Sequence, residues 1–233
     1  MLSRAFAASG WHVVIHYGTS RGEAEALAAT FPSAQCVQCD LADGDAAVRM
    51  VHELADTLPD WRVLVNCAAI FQPDSVDAID PVIFDRTMAV NAATPTRMAQ
   101  TFLGAAQSRG GRRVIDFLDQ KLLNPNPDFF SYTMAKHAFA ASVKMMAMGA
   151  HSASDRVYGL APGAMLPSFD QQPAEHETSG RMNLLNRLTD PTELADAALF
   201  LAQGWLASGE TLFIDSGQHL LAQRRDVLYL ARE

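Results

Sequence analysis

The sequence predicts a single α/β domain built on a doubly wound parallel sheet. Three observations predict it. Short apolar runs of strand character alternate with longer amphipathic runs along the whole chain, the pattern of βα units rather than of hairpins. The 233 residues suffice for one domain (1–233) with a substantial core, and no repeat or low-complexity linker divides them. The composition, 49% hydrophobic and 19% charged, is that of an ordinary globular protein.

The elements follow in order. His12–Tyr17 reads as a strand and Arg21–Phe31 as an amphipathic helix, with Ser20 at its cap position. Ala34–Cys39 is the next strand, ended by Asp40-Leu41. Asp45–Thr57 is a helix, Arg62–Val65 a short buried strand, and Pro81–Ser108 holds a long helix. Arg112–Leu118 is a strand, Ser131–His151 a helix and Arg156–Ala161 a strand. Asp190-Pro191 supplies the cap and first turn of a helix over Pro191–Gln203, and Thr211–Asp215 is the last strand. Gly163–Leu184, rich in Pro, Ser, Gln and Glu, is expected to be a mobile lid over a substrate. The Ser131–His151 helix carries Ala and Met on several faces, which predicts burial nearly all round.

Charge and motifs exclude several classes. A net charge of −8 argues against a general binder of nucleic acid or of acidic membranes. No apolar run approaches the roughly 20 residues that span a bilayer. Ser9, Gly10 and His12 interrupt any signal-peptide core, so a cytoplasmic location is expected. Cys36-Val-Gln-Cys39 has metal-ligand spacing but no second pair, and residues three apart on a strand point to opposite faces. The histidines form no cluster either, so no metal site is expected.

The most informative segment is Tyr132-Thr-Met-Ala-Lys136. On a helix, residues four apart lie one turn apart on one face. A cation beside a phenol favours the phenolate, so Lys136 is expected to lower the pKa of Tyr132 from about 10 and suit it to proton transfer. Further motifs occur in order along the chain: Asn66-Cys-Ala-Ala69 after an apolar run, Asn91 in Met88-Ala-Val-Asn91, Asp119 thirteen residues before Tyr132, Gly159-Leu-Ala-Pro-Gly163, and Ile214-Asp-Ser-Gly217. This series resembles the short-chain dehydrogenase/reductase family over essentially the whole chain. The matching family motifs are Asn-Asn-Ala-Gly, a lone Asn, a Ser, Tyr-x-x-x-Lys, a Pro-Gly turn and a terminal Asp-Gly-Gly.

The resemblance implies a Rossmann-like fold and a nicotinamide cofactor. It also implies roles: Tyr132 as proton donor, Lys136 on the nicotinamide ribose, and Asn91 holding a water chain that refills the proton. Asp40 and Leu41 match the adenine contact, Asn66 and Ala68 the turn against the adenosine, and Pro162-Gly163 the turn beside the nicotinamide. Cofactor choice can be read at the end of the second family strand. A carboxylate there would bond the ribose 2′-hydroxyl of NAD. This chain has none. His16, Ser20 and Arg21 could meet a 2′-phosphate instead, which favours NADPH.

The chain opens at Met1-Leu-Ser-Arg-Ala-Phe-Ala-Ala-Ser-Gly10, which resembles the helix that follows the family's first strand and glycine-rich pyrophosphate loop. That strand and loop are therefore expected to be missing, through a start assigned too late or a shortened product. The loss would bare the edges of both neighbouring strands. A protein starting at Met1 is expected to bind nucleotide poorly and to be unstable, and a catalytically silent protein of the same fold is a rival reading.

Asp119 departs from the family's Ser. An ionised carboxylate only accepts hydrogen bonds, so it suits a substrate that presents N–H groups or gains a proton on nitrogen. Asp119 with Tyr132-Thr-Met-Ala-Lys136, and His16-Tyr17 followed by Ser20, resemble the pteridine reductase branch. Phe71, five residues after Asn66, matches an aromatic that stacks on the pterin there. The expected activity is NADPH-dependent reduction of a pterin of the dihydropterin type, with a carbonyl or 3-oxoacyl reductase as the alternative. The family resemblance also implies a homotetramer, or a dimer, assembled through the Tyr132 helix and the helix around Asn91.

Overall fold

The computed structural model describes residues 1–149, 152–168 and 170–233. The expected strands form where β-branched and aromatic residues concentrate: β1 (Val13–Tyr17), β2 (Ala34–Gln38), β3 (Val63–Asn66), β4 (Arg113–Phe117), β5 (Arg156–Pro162) and β6 (Thr211–Ile214). All pairings are parallel, and each connection between paired strands crosses through a helix. β1 pairs with β2 as a two-stranded sheet, while β3-β4-β5-β6 form a four-stranded one. Among the described residues, no ladder joins β1 to β3, so these two strands each present an unpaired edge.

Period-two alternation sorts side chains between two helical layers. Val114 on β4, Leu118 just after it, and Val157 and Ala161 on β5 enter one core cluster. Ile115, Phe117, Tyr158 and Leu160 enter the other. The first layer consists of α3 (Gly44–Thr57), α5 (Thr94–Ala105) and α6 (Phe130–Met148). The second consists of α1 (Leu2–Ala8) and α8 (Pro191–Gln203). The sheet is thus doubly wound, as expected.

Helix starts obey local chemistry. Asp43 accepts from the backbone of Asp45 and Ala46 at the head of α3. Asp190 accepts from Thr192 N, with Pro191 at the first helical position. Gly204 ends α8 in the left-handed region (φ 76°), where a side chain would be strained.

Three expectations need correction, and one segment gains detail. The helix expected over Pro81–Ser108 is α4 (Pro81–Met88), a π turn (Ala89–Ala93) and α5. The π turn coincides with Asn91, whose side chain leaves the helix to bond another segment. The helix expected over Arg21–Phe31 is shorter, as α2 (Arg21–Ala28). Gly163–Leu184, expected as a lid, contains α7 (Pro173–Gly180), started by a Gln172–Glu175 capping box. Finally, α6 is not buried all round. Met134, Met145 and Met148 are exposed, as are Ala138 and Ala141, and together they make one apolar stripe at helical spacing. The expected end of that helix at residues 150–151 lies outside the described residues.

Candidate active site

The reactive groups converge at the carboxyl ends of β3 and β4 and the first turns of α6. The start of α6 is built by tertiary contacts. Phe129, the residue before the helix, takes a left-handed backbone (φ 53°), which costs a non-glycine residue about 1–2 kcal/mol. Its ring offsets that cost by stacking on Phe71 (centroids 3.9 Å apart) and Tyr229 (5.8 Å). Both oxygens of Asp74 accept from Ser131 N (3.1 Å each), and Ser131 Oγ donates to Asp74 as well. Asp74 thereby caps the helix from a distant loop, the same loop that carries Phe71.

Tyr132 Oη then donates to Asp119 Oδ2 (2.9 Å), and Lys121 N donates to Asp119 Oδ1 (2.8 Å). Lys136 Nζ lies 5.7 Å from the Tyr132 ring centroid and donates to Phe117 O (2.5 Å). Phe71 meets the Tyr132 ring edge-to-face at 4.7 Å. The structure therefore unites Tyr132, Lys136, Asp119 and Phe71.

The electrostatics differ from the sequence expectation. Burial, followed by the charge of Asp119 and the hydrogen bond to it, pushes the Tyr132 phenol well above its ordinary range, opposite to the expected lowering. The reason is geometric. The phenol's hydrogen bond goes to an acid, and Lys136 is turned toward a backbone carbonyl. Burial also lowers the Lys136 ammonium and raises the Asp119 carboxyl, the latter opposed first by the charge of Lys121. In this hydrogen bond Asp119 accepts from Tyr132, so the two groups titrate as a coupled pair.

Asn91 is buried (1% exposed), and its amide is committed at both ends: Oδ1 accepts from Ile70 N and Nδ2 donates to Ile70 O, each at 2.8 Å. Its side chain clamps the backbone beside Phe71 rather than reaching Tyr132.

The residues expected on the cofactor lie at the carboxyl ends of β1, β2, β3 and β5, the edge where ligands bind in open α/β sheets. His16 Nε2 bonds Cys39 O (2.9 Å), which ties β1 to β2. Ser20 occupies the N-cap of α2 without a side-chain cap bond, so its hydroxyl is uncommitted. Arg21 is exposed and pairs with Glu25 one turn on (2.8 Å). Exposed Asp40 accepts from Ala42 N (3.0 Å), and Leu41 is buried beneath it. Asn66 Nδ2 donates to Asp116 Oδ1 (2.9 Å) and Pro95 O (3.2 Å), which leaves the exposed Cys67-Ala68-Ala69 turn with a free backbone face. Gly163, after Pro162, sits where a Cβ would come within 2.6 Å of Gln218 Oε1 and 2.8 Å of Asp215 Cβ, so only glycine lets this turn close on the 215–218 loop. An uncommitted hydroxyl, an exposed guanidinium and an open turn backbone on one edge suit a phosphorylated dinucleotide.

Sequence reasoning missed several residues. Lys121, Asp226 and Phe129 all border the Tyr132–Asp119 pair, and Asp74 sets its helix. The sequence held a signal only for Lys121, in the Asx-turn pattern Asp119-Gln-Lys121. A hollow of about 320 Å³ lies against α6 as well, lined by Pro125, Phe130, Met134 and His137 among others, but its lining includes neither Tyr132 nor Asp119.

The geometry agrees with known proteins. A family model described as "Enoyl-(Acyl carrier protein) reductase" matches residues 1–219. The structure superposes on FolM alternative dihydrofolate reductase 1 from Brucella suis, crystallised with NADP, at TM-score 0.88 and 30% identity, covering 95% of this chain and 90% of that one. The Brucella canis counterpart, also complexed with NADP, gives TM-score 0.87 and 31% identity over 97% and 90%. Human dehydrogenase/reductase SDR family member 4 is 26% identical over 227 residues, 93% of this chain and 81% of that protein. With a family model over nearly the whole chain, and the Tyr132–Lys136 pair brought onto Asp119 at the end of β4, the chain belongs to the short-chain dehydrogenase/reductase family of oxidoreductases.

Proposed function

We propose that this protein is an NADPH-dependent reductase of a pterin of the dihydropterin type. The observation that carries the reading is the Tyr132–Asp119 hydrogen bond with Phe71 on the Tyr132 ring edge. A site for carbonyl reduction gains from a neutral donor beside the developing oxyanion, whereas Asp119 would oppose that charge. A pterin offers a ring nitrogen to protonate, N–H groups to bond a carboxyl and a flat face for Phe71. The Brucella relatives, named as alternative dihydrofolate reductases, support the same substrate class.

NADPH, when bound, supplies the hydride. His16, Ser20 and Arg21 would hold its 2′-phosphate end and Asp40 and Leu41 its adenine. Asn66 and Ala68 would lie along the adenosine, and Pro162-Gly163 beside the nicotinamide. The remaining work falls to the chain's own side chains. Phe71 orients the pterin ring, and Asp119 fixes it through N–H groups. The Tyr132–Asp119 pair delivers a proton to the nitrogen that gains electron density. Lys136 keeps a positive charge beside the pair, and Asn91 holds the Phe71 loop in place. The Gly163–Leu184 segment covers the bound substrate. The exposed stripe of α6 is the surface on which a second copy would dock, giving a dimer or a homotetramer in the cytoplasm.

A second reading, reduction of a 3-oxoacyl thioester, draws on the acyl-carrier description of the matched family. Assaying dihydrobiopterin beside acetoacetyl thioesters with NADPH separates the two, and preferential turnover of the thioester would overturn the pterin reading. In the same assay Tyr132→Phe should cut kcat by about 10²–10⁴-fold while leaving NADPH affinity within about twofold. Unchanged turnover would remove Tyr132 from the mechanism.

A further inference from the structure

The loop after β4 carries a second buried lysine that the motifs do not account for. Lys121 is 4% exposed. Its Nζ pairs with Asp226 Oδ2 (2.5 Å), donates to Asp128 O (3.3 Å) and lies 5.1 Å from the Phe129 ring centroid. Its own backbone N–H bonds Asp119 Oδ1 (2.8 Å). Asp226 belongs to the C-terminal segment and is itself half-committed, since Oδ1 accepts from Leu228 N (3.0 Å) at the head of α9 (Val227–Leu230). Leu228 packs with Phe129 and Tyr132, and Tyr229 stacks on Phe129. A second link runs alongside, in which Arg225 Nε and Asp226 N both donate to Asp128 Oδ2 (2.7 and 2.8 Å).

We propose that Lys121 is a positioning residue of the reductase site: it anchors the 225–230 segment as a wall of the substrate pocket and supplies the cation that balances Asp119. A buried cation is retained at a cost in desolvation, so its pairing calls for an account beyond stability. Here the backbone N–H of Lys121 bonds one carboxyl group, Asp119, and its ammonium pairs with another, Asp226. The charged and titratable groups around it are Asp119, Asp128 and Arg225, Asp226 from the tail, and Tyr132 and Lys136 from α6. Lys121 is the foremost charge opposing the burial of Asp119, and Asp226 is among the charges that raise Tyr132. Lys121 thus joins the Asp119 loop, through its backbone N–H, to the tail that packs on Tyr132, through its ammonium, and its charge favours an ionised Asp119.

The inference rests on the pterin reductase reading, but its decisive test needs no substrate. The Asp119 carboxyl is titrated by ¹³C NMR in wild type, Lys121→Met, Lys121→Arg and Asp226→Asn. Lys121→Met should raise the Asp119 midpoint by about one unit, and Lys121→Arg should restore it. Asp226→Asn, which keeps the lysine and removes the competing anion, should lower the midpoint, and it serves if Lys121→Met does not fold. In turnover, Lys121→Met should raise KM for dihydrobiopterin about tenfold with NADPH affinity unchanged. An Asp119 midpoint that stays within error in both Lys121→Met and Asp226→Asn would overturn the role. Absence of pterin turnover in wild type would instead refute the substrate reading and leave the titration to stand alone.

Discussion

The four-stranded sheet and the separate β1-β2 pair differ in how their candidate functional residues are held. All five residues of β4 are buried, as are Val157–Ala161 of β5, while no residue of β1 is fully buried. The reactive groups inherit this difference. Asp119 takes a bond from Tyr132, thirteen positions on, and Lys136 bonds Phe117, nineteen positions back. Around β1 and β2, Arg21 bonds Glu25 and Asp40 bonds Ala42, both near in sequence, the Ser20 side chain makes no cap bond, and one longer tie runs from His16 to Cys39 O. On the four-stranded sheet the candidate site is preorganised by tertiary packing. The region around β1 and β2 is more exposed, and most of its side-chain bonds are local.

The largest expected effect strikes the four-stranded sheet. Asp155, 2% exposed, takes Arg112 N (2.9 Å), Nε (3.0 Å) and Nη2 (2.6 Å), which locks the start of β4 to the turn before β5. Burial alone would raise this carboxyl, but the Arg112 side-chain and backbone hydrogen bonds and its charge outweigh burial and hold it below the usual carboxylate range. Asp155→Ala should destabilise the fold by about 3–5 kcal/mol in urea melts at pH 7. The sign of the pH effect follows from the depressed value. The stabilisation is complete above the unfolded-state pKa of about 4 and is lost as pH falls through the folded value. The variant should therefore lose less stability than wild type between pH 5 and pH 2, and parallel acid limbs would contradict this.

A smaller and opposite effect is expected at the seam. Asp116 is fully buried on β4, facing Asn66 across the ladder, with Oδ1 bonded to Asn66 and Oδ2 without a hydrogen-bond partner. Burial pushes its carboxyl up to about 7, against the Asn66 hydrogen bond and the Lys136 charge. Here the folded value lies above the unfolded one. Its stabilisation is complete below about pH 4 and declines as pH rises toward 7, by on the order of 2–4 kcal/mol. Asp116→Asn should flatten that decline between pH 5 and pH 8. If the variant and wild type fall in parallel, Asp116 is already ionised in the folded protein.

The same contrast explains what the sequence disclosed. Strands β3 to β6 were legible within one or two residues because buried parallel strands read as apolar runs, and Tyr132 and Lys136 because helical spacing fixes their shared face. The ends of β1 and β2 were legible from the polar and turn residues that bound them. The π turn at Asn91 was not, because nothing local distinguishes it from helix; its cause is the Ile70 backbone twenty-one residues earlier. The Lys121–Asp226 pair spans more than a hundred residues, and the local Asx-turn pattern at Lys121 says nothing of its partner. The direction of the Tyr132 shift was misjudged for a related reason. Spacing places Lys136 one turn from the phenol, but the Phe117 carbonyl and Asp119 decide where each proton points.

The smallest expected effect tests whether the region around β1 and β2 is a binding surface or merely a helix start. Ser20 is the N-cap of α2, yet its side chain makes no cap hydrogen bond. A working serine cap is worth about 1 kcal/mol, so Ser20→Ala should cost less than about 0.5 kcal/mol in a thermal melt. If the hydroxyl is instead reserved for a 2′-phosphate, the same substitution should weaken NADPH by about tenfold and leave NADH untouched, because a charge-assisted hydrogen bond to phosphate is lost and no other contact changes. Titration of both nucleotides against wild type and Ser20→Ala reads the two effects separately. An unchanged NADPH preference with a full loss of cap stability would make Ser20 an ordinary helix cap. The contrast between the four-stranded sheet and the β1-β2 pair would then be one of packing alone.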